Sequence, residues 1–252
     1  MINIVVIGAG NVGIHLCKAI NKAKGLTLKQ WYNRSKIQKI NSLEDIPFTN
    51  DISNLDKADI YIICVSDSAI ENLSNDLQFK NRLVVHTSGS VPMRNLNKKN
   101  RRGVFYPLQS FSKEIEISFI NVPICIEAND KKDRYKLEMV ASAIGSPKYF
   151  IQSDQRKILH LAAVFVNNFT NQLYRISHEL TDNKNINFDI LKPLIAETSK
   201  KVQKLSPYKS QTGPAKRGDK KTIKQHCKLL EEYPTYKKIY ELLTHSIQKT
   251  HG

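Results

Sequence analysis

The hexapeptide Gly8-Ala9-Gly10-Asn11-Val12-Gly13 constrains this chain more than any other stretch. It follows five apolar residues in the six positions from Ile2 to Ile7, and it opens into Ile14-His15-Leu16-Cys17-Lys18-Ala19-Ile20, which is amphipathic at helical spacing. Strand, glycine turn and helix are therefore predicted in that order. In such a unit the first glycine permits the tight turn and the second lets backbone approach a pyrophosphate. The third lets the helix pack closely on the strand. The helix N-terminus then faces the anion. A G-x-G-x-x-G can also arise by chance in a turn that holds no ligand; the strand-to-helix context is what favours a dinucleotide site.

The second predicted strand, Leu26 to Tyr32, leads to the residues that set nucleotide preference. An acidic residue ~20 positions past the glycine turn accepts from the ribose hydroxyls of NAD. Here that position is Asn33, followed by Arg34, Ser35 and Lys36. A guanidinium can stack on adenine and pair with a 2′-phosphate, and a hydroxyl and an ammonium add to that. The pattern favours NADP over NAD; the competing reading is a strand-to-helix loop that is merely basic.

The rest of the first half alternates strands with helices. Ile37 to Asp51 reads as a short helix and connection, and Asp59 to Val65 as a strand covered on both faces. Ser66-Asp67-Ser68 can cap a helix from Ala69 to Leu77. Strands follow at Leu83 to His86, Gly103 to Tyr106, Val122 to Ala128 and Lys148 to Ile151, with a helix over Asp133 to Ile144. In open α/β sheets ligands lie beyond the carboxyl ends of strands. That rule places Val65 and Ser66 with the glycine turn (Gly8, Gly10, Asn11, Val12, Gly13) and with Asn33, Arg34 and Ser35 as cofactor-binding candidates. It places His86, Thr87, Ser88 and Gln109 near substrate.

From Ser153 onward the pattern is helical only. Ser153 can cap a helix through about Leu180, followed by helices over Asp189 to Leu205, Lys220 to Glu232 and Thr235 to Lys249. Ile158, Leu161, Ala162, Val164, Phe165 and Phe169 give the long helix a wide apolar surface, which suggests burial at a domain or subunit junction. His160, Asn167 and Asn171 share one face at 3.6 residues per turn. They either meet substrate or tie the helix to backbone carbonyls. Thr212, in the polar loop Gln211 to Asp219, is a further substrate-binding candidate. The expected architecture is α/β, an N-terminal Rossmann doubly wound parallel sheet over 1–152 followed by an all-helical C-terminal domain over 153–252.

Composition excludes little but ranks the partners. The 252 residues carry a formal charge of +16. Nucleic-acid binding is one reading, but the densest cluster, Lys98-Lys99-Asn100-Arg101-Arg102, has no interleaved aromatics. A lysine-rich solvated surface is the other, and it can raise the encounter rate of an anionic ligand. No apolar run approaches the ~18–20 residues of a membrane span, and a strand starting at residue 2 leaves no room for a leader. The four cysteines form no C-x-x-C pair and read as reduced thiols of a cytoplasmic protein, with no support for a metal.

The order of motifs resembles a bacterial family that joins a Rossmann-like domain to the helical domain of unknown function 2520, members of which are labelled NADP oxidoreductases. GAGNVG, NRS, CVSDSAI, HTSGS, FYPLQSF, HLAAVFVNNFTN and QTGPAKRGD carry the resemblance over nearly the whole chain. More distantly the chain is similar to pyrroline-5-carboxylate reductase, the deazaflavin-dependent NADP reductases and the β-hydroxyacid dehydrogenases. The resemblance implies an NADP domain, a helical domain that dimerises, and a small carbonyl or imine substrate. β-Hydroxyacid dehydrogenases place a lysine one helical turn before an asparagine, and this chain has Ala163 and Val164 there. His160 is then the available proton donor, since imidazole titrates near neutrality, and Ser88, Gln109 and Asn167 could polarise a carbonyl. The alternative is a non-catalytic NADP-binding regulatory or scaffold protein.

Overall fold

A computed structural model describes residues 1–35, 40, 42–113 and 115–251. Strand β1 (Ile2–Ile7), helix α1 (Asn11–Lys22) and strand β2 (Leu26–Tyr32) form the first unit of the sheet. They are followed by β3 (Phe48–Thr49), β4 (Ile60–Ile63), α2 (Ile70–Asp76), β5 (Leu83–His86) and β6 (Arg101–Pro107). Then come β7 (Ile124–Ala128), α3 (Lys131–Ala143) and β8 (Lys148–Phe150). The eight strands make one sheet in the order β3-β2-β1-β4-β5-β6-β7-β8. Neighbours are parallel except β6 and β7, which are antiparallel with Gly103 opposite Ala128 and Pro107 opposite Ile124.

The near-continuous apolar strands are explained by cover on both faces. Ile4, Val6, Ile60, Ile62, Leu83 and Val85 point one way, onto Leu16 and Ile20 of α1 and Leu137 and Val140 of α3. Their neighbours Val5, Ile7, Tyr61, Ile63 and Val84 point the other way, onto Ile70 of α2 and onto Leu77 and Leu96. The period-two alternation of a strand thus fills two cores at once. This is the doubly wound α/β arrangement expected.

Several local expectations are corrected. Residues 42–51 hold turns and the edge strand β3 rather than a helix, while positions 36–39 and 41, where the helix was also expected, lie outside the described residues. Ser66 occupies the N-cap of a 3-10 turn over Asp67–Ala69, but its hydroxyl makes no capping bond. The long helix begins as expected with α4 (Ser153–Ala163), becomes a π-helix over Val164–Phe169, and resumes as α5 (Thr170–Asp182). Its N-cap is Gln152, closed by a reciprocal bond with Gln155. Ser153 is taken up elsewhere, donating to the Glu127 carboxylate at 2.8 Å. The apolar surface expected to be buried is exposed on the single chain: Ile158 is 68% and Phe165 61% accessible.

The chain divides into two compact units, Met1–Asn168 and Phe169–Gly252. In the first, Leu159 of α4 packs with Val104, Tyr106 and Cys125 of the sheet. The second contains α5, a 3-10 turn over Phe188–Leu191, α6 (Lys192–Lys204), α7 (Pro207–Ser210), α8 (Pro214–Arg217), α9 (Lys220–Leu229) and α10 (Pro234–His251). Within it Tyr236 donates to Glu179 at 2.6 Å, and Arg175 pairs with the same carboxylate at 2.7 Å. Among the described residues no helix is long and apolar enough to cross a membrane.

Candidate functional site

The three glycines of the first turn have different physical duties. Gly8 adopts φ +120, and a Cβ there would stand 2.2 Å from the Cys64 carbonyl oxygen. A Cβ on Gly13 would stand 2.4 Å from the Gly8 oxygen. Both positions exclude any side chain because the backbone itself is in the way. Gly10 is different: its nearest neighbour would be Cys64 O at 3.9 Å, so the space beside it is open. Gly10 is also the N-cap of α1, and no side chain caps that helix. The first-turn N–H groups of Asn11, Val12 and Gly13 therefore point outward without a side-chain acceptor. The turn is fixed from β2, where Trp31 Nε1 donates to the Gly8 carbonyl at 2.9 Å and Asn33 Oδ1 accepts from Ala9 N at 3.2 Å.

This turn floors a cavity of about 560 Å³ that runs along the carboxyl ends of β1, β4, β5 and β6. Its walls include Asn33, Val65, Ser66, Asp67, Thr87, Ser88, Tyr106, Gln109 and His160. A second cavity of about 480 Å³ adjoins it on the β2 side, sharing Gly8, Asn33, Val65 and Ser66 and adding Arg34, Ser68 and Asp76. Ser35 is exposed beside Arg34, and Lys36 lies outside the described residues. The cofactor-binding candidates are thus brought together, apart from Ser35, which lines neither cavity, and Gly13, which packs beneath the turn.

The exit of β5 corrects the sequence reading. His86 is wholly buried and lines neither cavity. Its Nδ1 accepts the Ser88 N–H at 3.1 Å, so in the neutral ring the proton sits on Nε2, which faces the Pro92 backbone without a close hydrogen-bond partner among the described residues. Burial first, and the Arg156 guanidinium second, pull its titration down to about 3. His86 therefore shapes the turn rather than meeting substrate. Thr87 donates to the Ile63 carbonyl at 3.3 Å, and Ser88 Oγ accepts from the N–H groups of Ser90 and Val91 at 3.1 and 3.0 Å. Both still line the cavity wall.

Arg156, Glu127 and Tyr106, whose roles sequence reasoning missed, organise the far end. Arg156, fully buried on α4, donates from Nε to Ser88 O at 3.2 Å and from Nη2 to Val91 O at 2.6 Å, and it pairs with Glu127 on β7. Ser153 closes the cluster on the same carboxylate. These bonds bolt the first turns of α4 to the β5 exit. One helical turn later, His160 Nδ1 lies 3.0 Å from the Tyr106 hydroxyl. Gly89 packs against both rings, since a Cβ there would fall 2.7 Å from His160 Nδ1 and 2.8 Å from Tyr106 Cζ. Burial pushes the Tyr106 phenol up to about 12. The FYPLQSF motif carried Tyr106, but nothing local to it signals the partner 54 positions away.

Beyond this pair a third cavity, of about 440 Å³, lies along α4 and the π-helix. Asn167 and Asn168 line it together with His160 and Gln109. A π-helix inside a long helix is rare and concentrates at functional sites. Asn171 and Thr212 belong to the second unit, where both are exposed. Among the described residues no group of three or more His, Cys, Asp or Glu could hold a metal ion, and the four cysteines are free thiols. Burial pushes the Cys64 thiol up to about 12.

A family model described as a domain of unknown function (DUF2520) matches residues 122–247. Among solved structures, a protein named as a putative NADP oxidoreductase from Bacteroides fragilis is 39% identical, with 98% of each chain covered and a TM-score of 0.88. A protein from Thermotoga maritima is 20% identical over 98% of both chains, with a TM-score of 0.74. A reductive aminase from Aspergillus terreus, in complex with NADPH and ethyl levulinate, is 12% identical over 100% of this chain and 95% of its own, with a TM-score of 0.75. The last two likenesses show a shared fold. No curated protein matches.

Proposed function

The chain belongs to the family of the domain of unknown function 2520, and from that premise together with the glycine-turn geometry we propose that it is an NADP-dependent oxidoreductase. The observation that carries the reading is the open space beside Gly10, between two glycines that backbone contacts oblige, at an uncapped helix N-terminus. A diphosphate fits there: the α1 N–H groups supply donors, and Gly10 removes the side chain that would block approach. Arg34 at the β2 side is the group for a 2′-phosphate, with Ser35 beside it. The order β1, β4, β5, β6 then directs the other end of the ligand past Val65 and Ser66 toward Thr87, Ser88 and Tyr106.

When bound, NADPH supplies a hydride to a small carbonyl or imine. The chain's own residues supply position and a proton. His160, Asn167 and Ser88 are the candidate catalytic groups, and Gln109 and Thr87 line the approach. In this reading residues 1–152 form the cofactor domain and residues 153–252 serve substrate binding and dimerisation. The exposed apolar residues of α4 and of the second unit, Ile158, Leu161, Leu194 and Leu242 among them, support a homodimer. The free thiols and the absence of a spanning helix among the described residues support a cytoplasmic setting.

The test is a titration with NADPH and NADH followed by nicotinamide fluorescence, repeated on Arg34→Ala. The expected result is tighter NADPH binding, with the preference lost in the variant by about tenfold or more. Absence of binding by either nucleotide overturns the reading. A His160→Ala chain is expected to keep NADPH binding while losing turnover.

A further inference from the structure

Tyr106 stands where two cavities meet. With Gln109 and His160 it lines both the glycine-turn cavity and the cavity of about 440 Å³ along α4. The latter is walled by Leu108, Leu159, Ala162, Val164 and Val166, with the amides of Asn167 and Asn168, and no Asp, Glu, Lys or Arg is among its described residues. A carboxylate or phosphate group in that space would meet no lysine or arginine among the described lining residues. An uncharged molecule with an apolar body fits.

The phenol is also held as a donor should be. Its hydroxyl is 3.0 Å from His160 Nδ1, the Gly89 backbone backs both rings, and Arg156 fixes the helix that carries His160. The burial that pushes the phenol up to about 12 keeps it protonated at neutral pH. An alkoxide is more basic than a phenolate, so transfer to it runs downhill. Cys125 and the Asp67 carboxylate add to that upward push, and the Arg156 guanidinium works against it.

We propose that Tyr106 is a further catalytic residue, donating its hydroxyl proton to the oxygen of an uncharged aldehyde or ketone held in the α4 cavity, with His160 positioning the phenol and returning its proton. This rests on the oxidoreductase reading. The carbonyl carbon gains a hydride, with its two electrons, from the reduced nicotinamide, and the π pair moves to oxygen. The Tyr106 O–H bond breaks as an O–H bond forms on that oxygen. His160 Nδ1 then gives its proton to the phenolate while Nε2 takes one from water. One carbonyl, one reduced nicotinamide and one solvent proton yield one alcohol and one oxidised nicotinamide.

The experiment compares the full-length wild type with Tyr106→Phe, His160→Ala and the double variant. NADPH binding is read by fluorescence, and NADPH oxidation is read with benzaldehyde, cyclohexanone and 4-carboxybenzaldehyde. The expected result is NADPH affinity within about twofold in Tyr106→Phe and a fall in kcat of about 10²–10⁴, the range of general acid catalysis. The double variant should lose little beyond the single ones, as groups acting as a unit do. Benzaldehyde should be preferred over its carboxylated form by about tenfold or more. Independently of turnover, Tyr106→Phe should move the ¹⁵N resonance of His160 Nδ1. An unmoved resonance, kcat within threefold of wild type, equal use of the carboxylated aldehyde, or NADPH binding without oxidation by either uncharged probe overturns the proposal and leaves the cofactor reading standing. Failure of the wild type to bind NADPH overturns both.

Discussion

His86 makes folding depend on pH in a way that one substitution can isolate. Its imidazole titrates at about 3 in the fold against an ordinary 6.5. Between those values the unfolded chain binds a proton that the folded chain refuses, so unfolding free energy rises with pH there. The stability is fully present above about pH 6.5 and is lost progressively as pH falls toward about 3. One full proton corresponds to about 1.4 kcal/mol per pH unit, and the unfolded ring is half protonated at pH 6.5, hence roughly 2 kcal/mol lost between pH 6.5 and 4.5. His86→Asn keeps an acceptor for the Ser88 N–H and removes the titration. It should cost about 1–3 kcal/mol at pH 7, because the buried ring leaves a space. Urea unfolding at pH 7, 6, 5 and 4.5 measures both chains. The difference between them should shrink by about 1.4 kcal/mol per unit below pH 6.5. Parallel stability curves would refute the claim that this ring is buried neutral.

The glycines separate fold from function. Gly8→Ala, forced to φ +120 against the Cys64 carbonyl, should destabilise by about 3 kcal/mol or more in urea unfolding. Gly10→Ala should unfold within about 1 kcal/mol of wild type, yet weaken NADPH binding about tenfold or more in the fluorescence titration. Glu127→Gln strands a guanidinium that is 0% exposed and should cost about 3–5 kcal/mol, read by the same unfolding assay.

The strand-and-helix alternation was legible because burial on both faces leaves a continuous apolar run, and the glycine turn because backbone crowding at Gly8 and Gly13 tolerates no substitute. Arg156 and Glu127 were not, since each is an ordinary charged residue until the fold joins positions 29 apart, and Arg156 meets Ser88 across 68. His86 misled for a related reason. A strand's carboxyl end gives an address, but whether a side chain there points at the cavity or under it is decided by the turn that follows. Spacing likewise announced an apolar stripe on α4 without saying what covers it, and an i→i+5 stretch has no periodicity of its own to announce it.

The reversal between β6 and β7 has an evolutionary consequence. The chain leaves β6 at Pro107 and re-enters the sheet opposite it at Ile124, with Leu108 N bonded to Pro123 O at 2.8 Å across the base. A parallel continuation needs a crossover to the other end of the sheet. Here the segment between leaves the ligand end along α1, where Asn11 Nδ2 donates to Phe111 O and His15 Nε2 meets Ser112 O, both at 2.8 Å, and Glu116 pairs with Lys22 at the far end of the helix. Among its described residues no strand ladder passes through this segment. Phe119 and Val122 anchor its later part in the core, but Gln109 and Ser110 at its start line the cavities and can change between lineages while every register in the sheet stays as it is, so ligand preference can drift on a scaffold that does not.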